Sequence, residues 1–118
     1  MTNASHDIPE EPIGPALLFE QDGHMSVIHD LAVTDELIES PDEVYEAFDG
    51  EGRPLQAVGP AGDVSFCLAS DQPQESKIRE RVQRYYAVFA ARHHTRIPPG
   101  EQDLATFIFA VANDEVIE

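Results

Sequence analysis

The chain has 118 residues, with 23 acids against seven bases, and its formal charge is −16 with the histidines neutral. Its hydrophobic fraction of 42% is enough for a core, and its length suits one domain of ordinary size. Nucleic acid is an improbable partner for the whole molecule, because each phosphate contact needs local positive charge. The longest apolar run, 107–112, is far too short for a membrane span, so we expect no membrane partner.

The N-terminal sequence shows no secretory signal pattern, because residues 1–7 lack both basic side chains and an apolar stretch. Cys67 is the single cysteine, which excludes an internal disulfide and a cysteine-rich zinc site. We therefore expect a cytoplasmic protein without a cofactor. Residues 1–14 combine acids with prolines and few apolar side chains, which predicts a flexible tail before one domain at 15–118.

Two apolar runs on either side of an Asp-Gly dipeptide at 22–23 predict a β-hairpin. The runs span 16–20 and 25–33, and Asp-Gly is typical of a type I′ turn, since both central positions need positive φ. Strand alternation would place His29 on the same face as the core residues. A helix that starts at Met25 is the alternative, because apolar residues also recur there at helical spacing, and we favour the hairpin.

A capping box that begins at Ser40 predicts a short helix. Serine at the N-cap, proline after it and glutamate three positions on satisfy the free amides of a first helical turn. The apolar side chains that follow, Tyr45 among them, favour a helix over 41–48. A helical turn is expected before it, over 34–39, with Leu37 and Ile38 directed inward.

The C-terminal half predicts a second hairpin, a long helix and an ambiguous last element. Runs 55–58 and 63–69 flank a Gly-Pro-Ala-Gly turn and predict two strands, and helical spacing predicts a helix over 74–94. The segment 101–112 fits both an amphipathic helix and a buried strand, and we favour the helix. The predicted fold class is α+β: an antiparallel sheet from two hairpins, with the 41–48 and 74–94 helices packed against it.

Positive charge is concentrated in one segment. Residues 77–96 hold six bases and one acid, a charge of +5, and the rest of the chain sums to −21. On a helix, five of these bases align in a basic stripe that Val88 interrupts. They are Lys77, Arg81, Arg84, Arg92 and Arg96. The stripe can bind phosphate or an acidic partner, or it can neutralise the acidic body of its own fold or of a second copy, and we favour neutralisation.

A second segment holds eight acids and no base within 17 residues. These acids are Asp35, Glu36, Glu39, Asp42, Glu43, Glu46, Asp49 and Glu51. Solubility explains part of this charge, but so dense a field repels itself, and complementary charge is a common device for selecting a partner. We predict that these residues bind a basic protein partner. Small acidic inhibitors and immunity-type proteins have this composition, which is an analogy of composition alone.

Histidines support the alternative of a small enzyme or a metal-binding domain. His24 and His29 lie in or beside the first predicted hairpin, and His93 and His94 end the long predicted helix. Histidines with a carboxylate can bind zinc, nickel or iron, although no pair here has the spacing of a known ligand motif. The second hypothesis is thus a site that joins His29 with His93 or His94. The third is a self-associating subunit, a homodimer, because opposite charges are segregated within one chain.

Overall fold

The computed structural model describes residues 11–89, 100 and 102–114, and it confirms the α+β class. The strands are β1 (Ala16–Phe19), β2 (Met25–Ile28), β3 (Glu46–Phe48), β4 (Leu55–Val58) and β5 (Ser65–Leu68). The helices are α1 (Thr34–Leu37), α2 (Glu75–Phe89) and α3 (Leu104–Ala112), with 3-10 turns at Leu31–Val33 and Pro41–Glu43. None of the helices in these residues is both long and apolar enough to cross a membrane.

The strands form two separate antiparallel sheets. In the first sheet β1 is central, between β2 and β3, and in the second sheet β4 pairs with β5. Both predicted hairpins are therefore present, but each belongs to its own sheet. The strand β3 occupies the second edge of β1, and the β4–β5 hairpin packs on a face of the first sheet instead of extending it.

The first sheet is buried on both faces. On one face, Leu17 joins a core cluster with Ile78 of α2 and Ile108 of α3. On the other face, Ala16 joins a second cluster with Val64, the residue before β5. The helices α2 and α3 thus cover one face and the β4–β5 hairpin covers the other, which gives three layers.

The helix predicted over 41–48 is wrong. Its capping box forms, but it starts only the 3-10 turn Pro41–Glu43, after which the backbone is extended. The strand Glu46–Phe48 then pairs with the free edge of β1. Ala47 and Phe48 are each 2% exposed and lie in different core clusters, on opposite faces of the sheet. Only an extended chain directs adjacent side chains to opposite faces, so tertiary packing overrides the local helix signal.

The first hairpin turn differs from the type I′ prediction. The Gly23 amide donates to the Glu20 carbonyl at 2.9 Å, and the Glu20 amide donates to the His24 carbonyl at 2.8 Å. Gly23 has a φ of +94°. These bonds close a loop of three residues whose last position is left-handed, which glycine adopts without strain.

The second strand of that hairpin is shorter than predicted. It ends at Ile28, and a 3-10 turn follows, so strand alternation no longer applies to His29. His29 is exposed, and its predicted position on the core face is wrong.

The helical turn predicted over 34–39 is present as α1, but only one of the two apolar residues at its C-terminal end is buried. Ile38 is buried in the second cluster, whereas the Leu37 side chain is 58% exposed. The inward orientation predicted for Leu37 is therefore wrong. Four residues make a single turn, and a single turn directs only part of its surface toward the core.

The helix α2 carries the apolar stripe predicted for the 74–94 helix. Ile78, Val82, Tyr85 and Tyr86 are buried in the cluster between the first sheet and α3. The residues after Phe89, up to the helix end predicted at 94, lie outside the described residues.

Asp49 and Arg53 form a buried ion pair that also holds residues 11–14. The Asp49 Oδ2 atom accepts from Arg53 Nη2 at 2.8 Å and from the Ile13 amide at 3.2 Å. Arg53 Nη2 also donates to the carbonyl of Glu11 at 3.3 Å. The last part of the predicted tail thus contacts the domain, and residues 1–10 lie outside the described residues.

The last described element is the predicted helix, α3, and Asp103 caps it. The Asp103 Oδ2 atom accepts from the Thr106 amide at 3.0 Å and from Thr106 Oγ1 at 2.9 Å. These bonds, the backbone one first, hold the pKa of Asp103 below its ordinary value of 3.8. The carboxylate form therefore stabilises the start of the helix.

We expect Asp103→Ala to lower the thermal unfolding midpoint at about pH 6, because the first turn of α3 loses its cap. A carboxyl group whose pKa is lower in the folded state stabilises that state above its unfolded pKa, and this stabilisation is lost as the pH falls through the folded pKa. The difference in midpoint between wild type and variant should therefore shrink toward about pH 2. Asp71→Ala, at an exposed position before α2, is the control. A midpoint difference for Asp103→Ala that stays constant with pH would contradict the role of the charged cap.

Candidate functional site

Five exposed carboxylates project from α1 and from the 3-10 turn that follows it. We call residues 35–43 the acidic segment, and its carboxylates belong to Asp35, Glu36, Glu39, Asp42 and Glu43. Within the described ranges, no basic side chain lies within 4.0 Å of any of them. Their negative potential is therefore not neutralised by a direct ion pair in that part of the chain.

The capping box fixes the shape of the acidic segment. Glu43 Oε2 accepts from the backbone amides of Glu39 at 3.0 Å and Ser40 at 2.8 Å, and Ser40 Oγ accepts from the Asp42 amide at 3.4 Å. The Gly62 amide donates to the Glu39 carbonyl at 2.8 Å, which ties the segment to the β4–β5 turn. A surface held in this way loses little conformational freedom when a partner binds.

Two large apolar side chains are exposed beside these acids. Leu37 is 58% exposed and Tyr45 is 54% exposed. In protein interfaces, a few large side chains, tyrosine prominent among them, contribute most of the binding energy inside a polar rim. The sequence pattern assigns both residues to buried faces, because it predicts a helix where the chain forms a single turn and a strand.

A groove of about 460 Å³ lies between the acidic segment and the first sheet. Leu18 of β1 and Ser26 of β2 line it from the sheet, and Leu37 lines it from the side of the segment. The acids Glu20 and Glu43 also line it. The groove therefore combines apolar walls with two carboxylates.

Three of the eight acids predicted to bind a partner lie outside the acidic segment, and two of them serve the fold. Glu46 is paired with Lys77 at 3.2 Å and with Arg81 at 2.6 Å. Asp49 is fully buried in its ion pair. Both carboxylates thus have partners within the fold, and their role in binding a basic partner stays a prediction. Glu51 is exposed next to the buried pair.

The basic stripe is partly used by the fold itself. Lys77 and Arg81 both bind the single glutamate of β3, which ties α2 to the first sheet. Arg84 is exposed on the same helix. Arg92 and Arg96 lie outside the described residues. For the first two bases, the structure agrees with neutralisation of the chain's own acids.

The histidines do not form a cluster in the described part of the chain. The His24 ring lies 5.0 Å from the Phe89 ring in an edge-to-face arrangement, so it packs against the end of α2. His29 lines a separate groove. Among the residues that the structure describes, no three potential metal ligands come together. His93 and His94 lie outside them, so a site that joins either one with His29 stays a prediction.

The features that the structure brings together are the acidic segment, two exposed apolar side chains and the groove beside them. No protein-family model, curated protein or solved structure matches this chain. Its function is therefore argued from this surface.

Proposed function

We propose that this protein is a non-enzymatic binding module that docks a basic protein partner through the acidic segment. One observation carries the proposal: carboxylates without an ion pair to any described residue and the exposed side chains of Leu37 and Tyr45 occupy the same short stretch, 35–45. Docking would cover a basic surface of the partner, as an inhibitor or an immunity-type protein does. We also propose that this protein is cytoplasmic.

The two parts of this surface have different physical roles. Exposed carboxylates act over about one Debye length, ~8 Å at physiological ionic strength, and raise the rate at which a basic partner arrives. Leu37 and Tyr45 lose water only when the complex forms, so they slow its dissociation. The proposal therefore assigns the association rate constant to the carboxylates and the dissociation rate constant to Leu37 and Tyr45.

We expect Glu36→Gln with Glu39→Gln to slow association by about tenfold at low salt, with little change in dissociation. The effect should shrink as salt rises, because screening removes the steering field. The partner is first captured from a lysate of the source cells with the wild-type chain as bait, and the rate constants are then measured by surface plasmon resonance. Tyr45→Ala should instead accelerate dissociation and leave association nearly unchanged.

The matched control is Asp71→Asn with Glu80→Gln, which removes the same charge from exposed positions outside the acidic segment. Glu43→Gln tests charge at the capping box, because the amide oxygen can still accept from the two backbone amides. Glu46 is not suitable, since its loss would disturb the contact between α2 and β3. Equal association rates for the test pair and the control pair would overturn the proposal.

A further inference from the structure

Among the described residues, the strand β2 forms an edge of the first sheet and has backbone groups without a hydrogen-bond partner. The bond from the Glu20 amide to the His24 carbonyl sets the alternation, so Ser26 and Ile28 direct their backbone groups toward β1. The amides and carbonyls of Met25 and Val27 then point away from the sheet. Nothing in the described ranges binds them.

This edge has only one of the usual protections against pairing, its short length. Natural edge strands are kept very short, or carry charged side chains, proline or a bulge that prevent the addition of another strand. The sequence of β2, Met-Ser-Val-Ile, has no charge and no proline. The strand is short, and the groove beside the acidic segment lies along it, with the Ser26 side chain in its lining.

We propose that an extended segment of the basic partner adds to β2 as a further antiparallel strand. The inference rests on the proposed function and specifies how the partner binds. Residues of that segment opposite Met25 and Val27 would exchange backbone hydrogen bonds with them. The residue opposite Ser26 would direct an apolar side chain into the groove, with lysine or arginine two positions before and after it.

Charge complementarity selects this occupant. Glu20 and Glu43 line the groove, and the acidic segment borders it, so a segment with basic residues around an apolar one matches both its lining and its potential. A second copy of this chain would bring another acidic segment to the same edge. A helical segment would leave the amides and carbonyls of the β2 edge unpaired.

The probe is the acetylated and amidated peptide Lys-Lys-Thr-Val-Thr-Lys-Lys, titrated into the isotopically labelled full chain and followed by amide NMR shifts. We expect the largest shifts at Met25 and Val27 and in the acidic segment. A second peptide, N-methylated at both threonine amides, keeps the charge and the side chains but cannot donate to the strand edge. It should bind about tenfold more weakly, the loss expected from two hydrogen bonds.

Variants of the protein provide the matched comparison. Ser26→Arg places a bulky positive charge in the groove, and Ser65→Arg places the same charge at an exposed position of β5 in the other sheet. Ser26→Arg should weaken binding of the unmodified peptide by at least about tenfold more than Ser65→Arg does. Unfolding curves of both variants verify that the fold is retained.

The outcomes separate this inference from the proposed function. If both peptides bind equally, with shifts confined to the acidic segment, strand addition is overturned and docking by charge stands. If neither peptide binds, both the strand and the attraction of the acidic segment for basic chains are overturned. Concentration-dependent shifts at Met25 and Val27 without peptide would show that the edge takes a second copy, which also overturns the inference.

Discussion

Asp49→Ala is expected to lower the free energy of unfolding by about 3–5 kcal/mol, because it removes the buried carboxylate that pairs with the Arg53 guanidinium at 2.8 Å. Asp49 is fully buried, and its two oxygens accept from the Arg53 side chain and from three backbone amides. The substitution removes all of these bonds at once. It also removes one of the hydrogen bonds that hold residues 11–14, the bond from the Ile13 amide to Asp49.

Arg53→Met should cost less than Asp49→Ala, although both break the same ion pair. The Asp49 carboxylate would still accept from the backbone amides of Ile13, Glu51 and Arg53, whereas Asp49→Ala removes these three bonds together with the ion pair. Methionine also keeps much of the apolar volume of the arginine stem. The double variant should be more stable than the sum of the two single losses predicts, because each single substitution already removes the same ion pair.

The measurement is the free energy of unfolding from urea titrations of the three variants and of Asp35→Ala. Asp35 is exposed and has no ion pair with a described residue, so its removal should change stability by no more than about 0.5 kcal/mol. If Asp49→Ala is no more destabilising than Asp35→Ala, the stability of the fold does not depend on the buried ion pair of Asp49 and Arg53. If Asp49→Ala prevents folding altogether, Arg53→Met supplies the measurable value.

Ile108→Ala is expected to cost about 2–5 kcal/mol, because Ile108 is fully buried among α2, α3 and the first sheet and its truncation leaves a cavity. Its neighbour Phe109 is 62% exposed, so Phe109→Ala should cost no more than about 1 kcal/mol although it removes a larger side chain. Both values come from the same urea titrations.

This pair of variants also tests the element that the sequence left ambiguous. On the helix α3, Phe107, Ile108 and Val111 are buried together, and Phe109 faces outward. On a strand, Phe107, Phe109 and Val111 would share one face, and Ile108 would lie on the other. A loss for Phe109→Ala that equals or exceeds the loss for Ile108→Ala would contradict the helix.

The acidic character of the candidate site was predictable from the sequence, but which of its side chains are exposed was not. The run of acids is visible in the sequence, and the capping box at Ser40 forms as predicted. The sequence does not show that Glu46 and Asp49 are used by the fold, because their basic partners depend on the position of α2 and on the 49–53 turn. It also assigns Leu37 and Tyr45 to buried faces, because the spacing of apolar residues does not show that each predicted helix ends after one turn.

By itself, the sequence determined the features that depend on near neighbours in the chain. These include the two hairpins, the clean alternation of Val64, Phe66 and Leu68 and the buried stripe of α2. Local hydrogen bonds and side-chain periodicity are sufficient for each of them. Only the tertiary structure decided that 46–48 is a strand, that the hairpins lie in separate sheets and that β2 keeps a free edge in the described ranges. Each of these depends on contacts between residues that are distant in the chain. The strand β3 pairs with β1 because this position buries Ala47 and Phe48 on opposite faces of the first sheet.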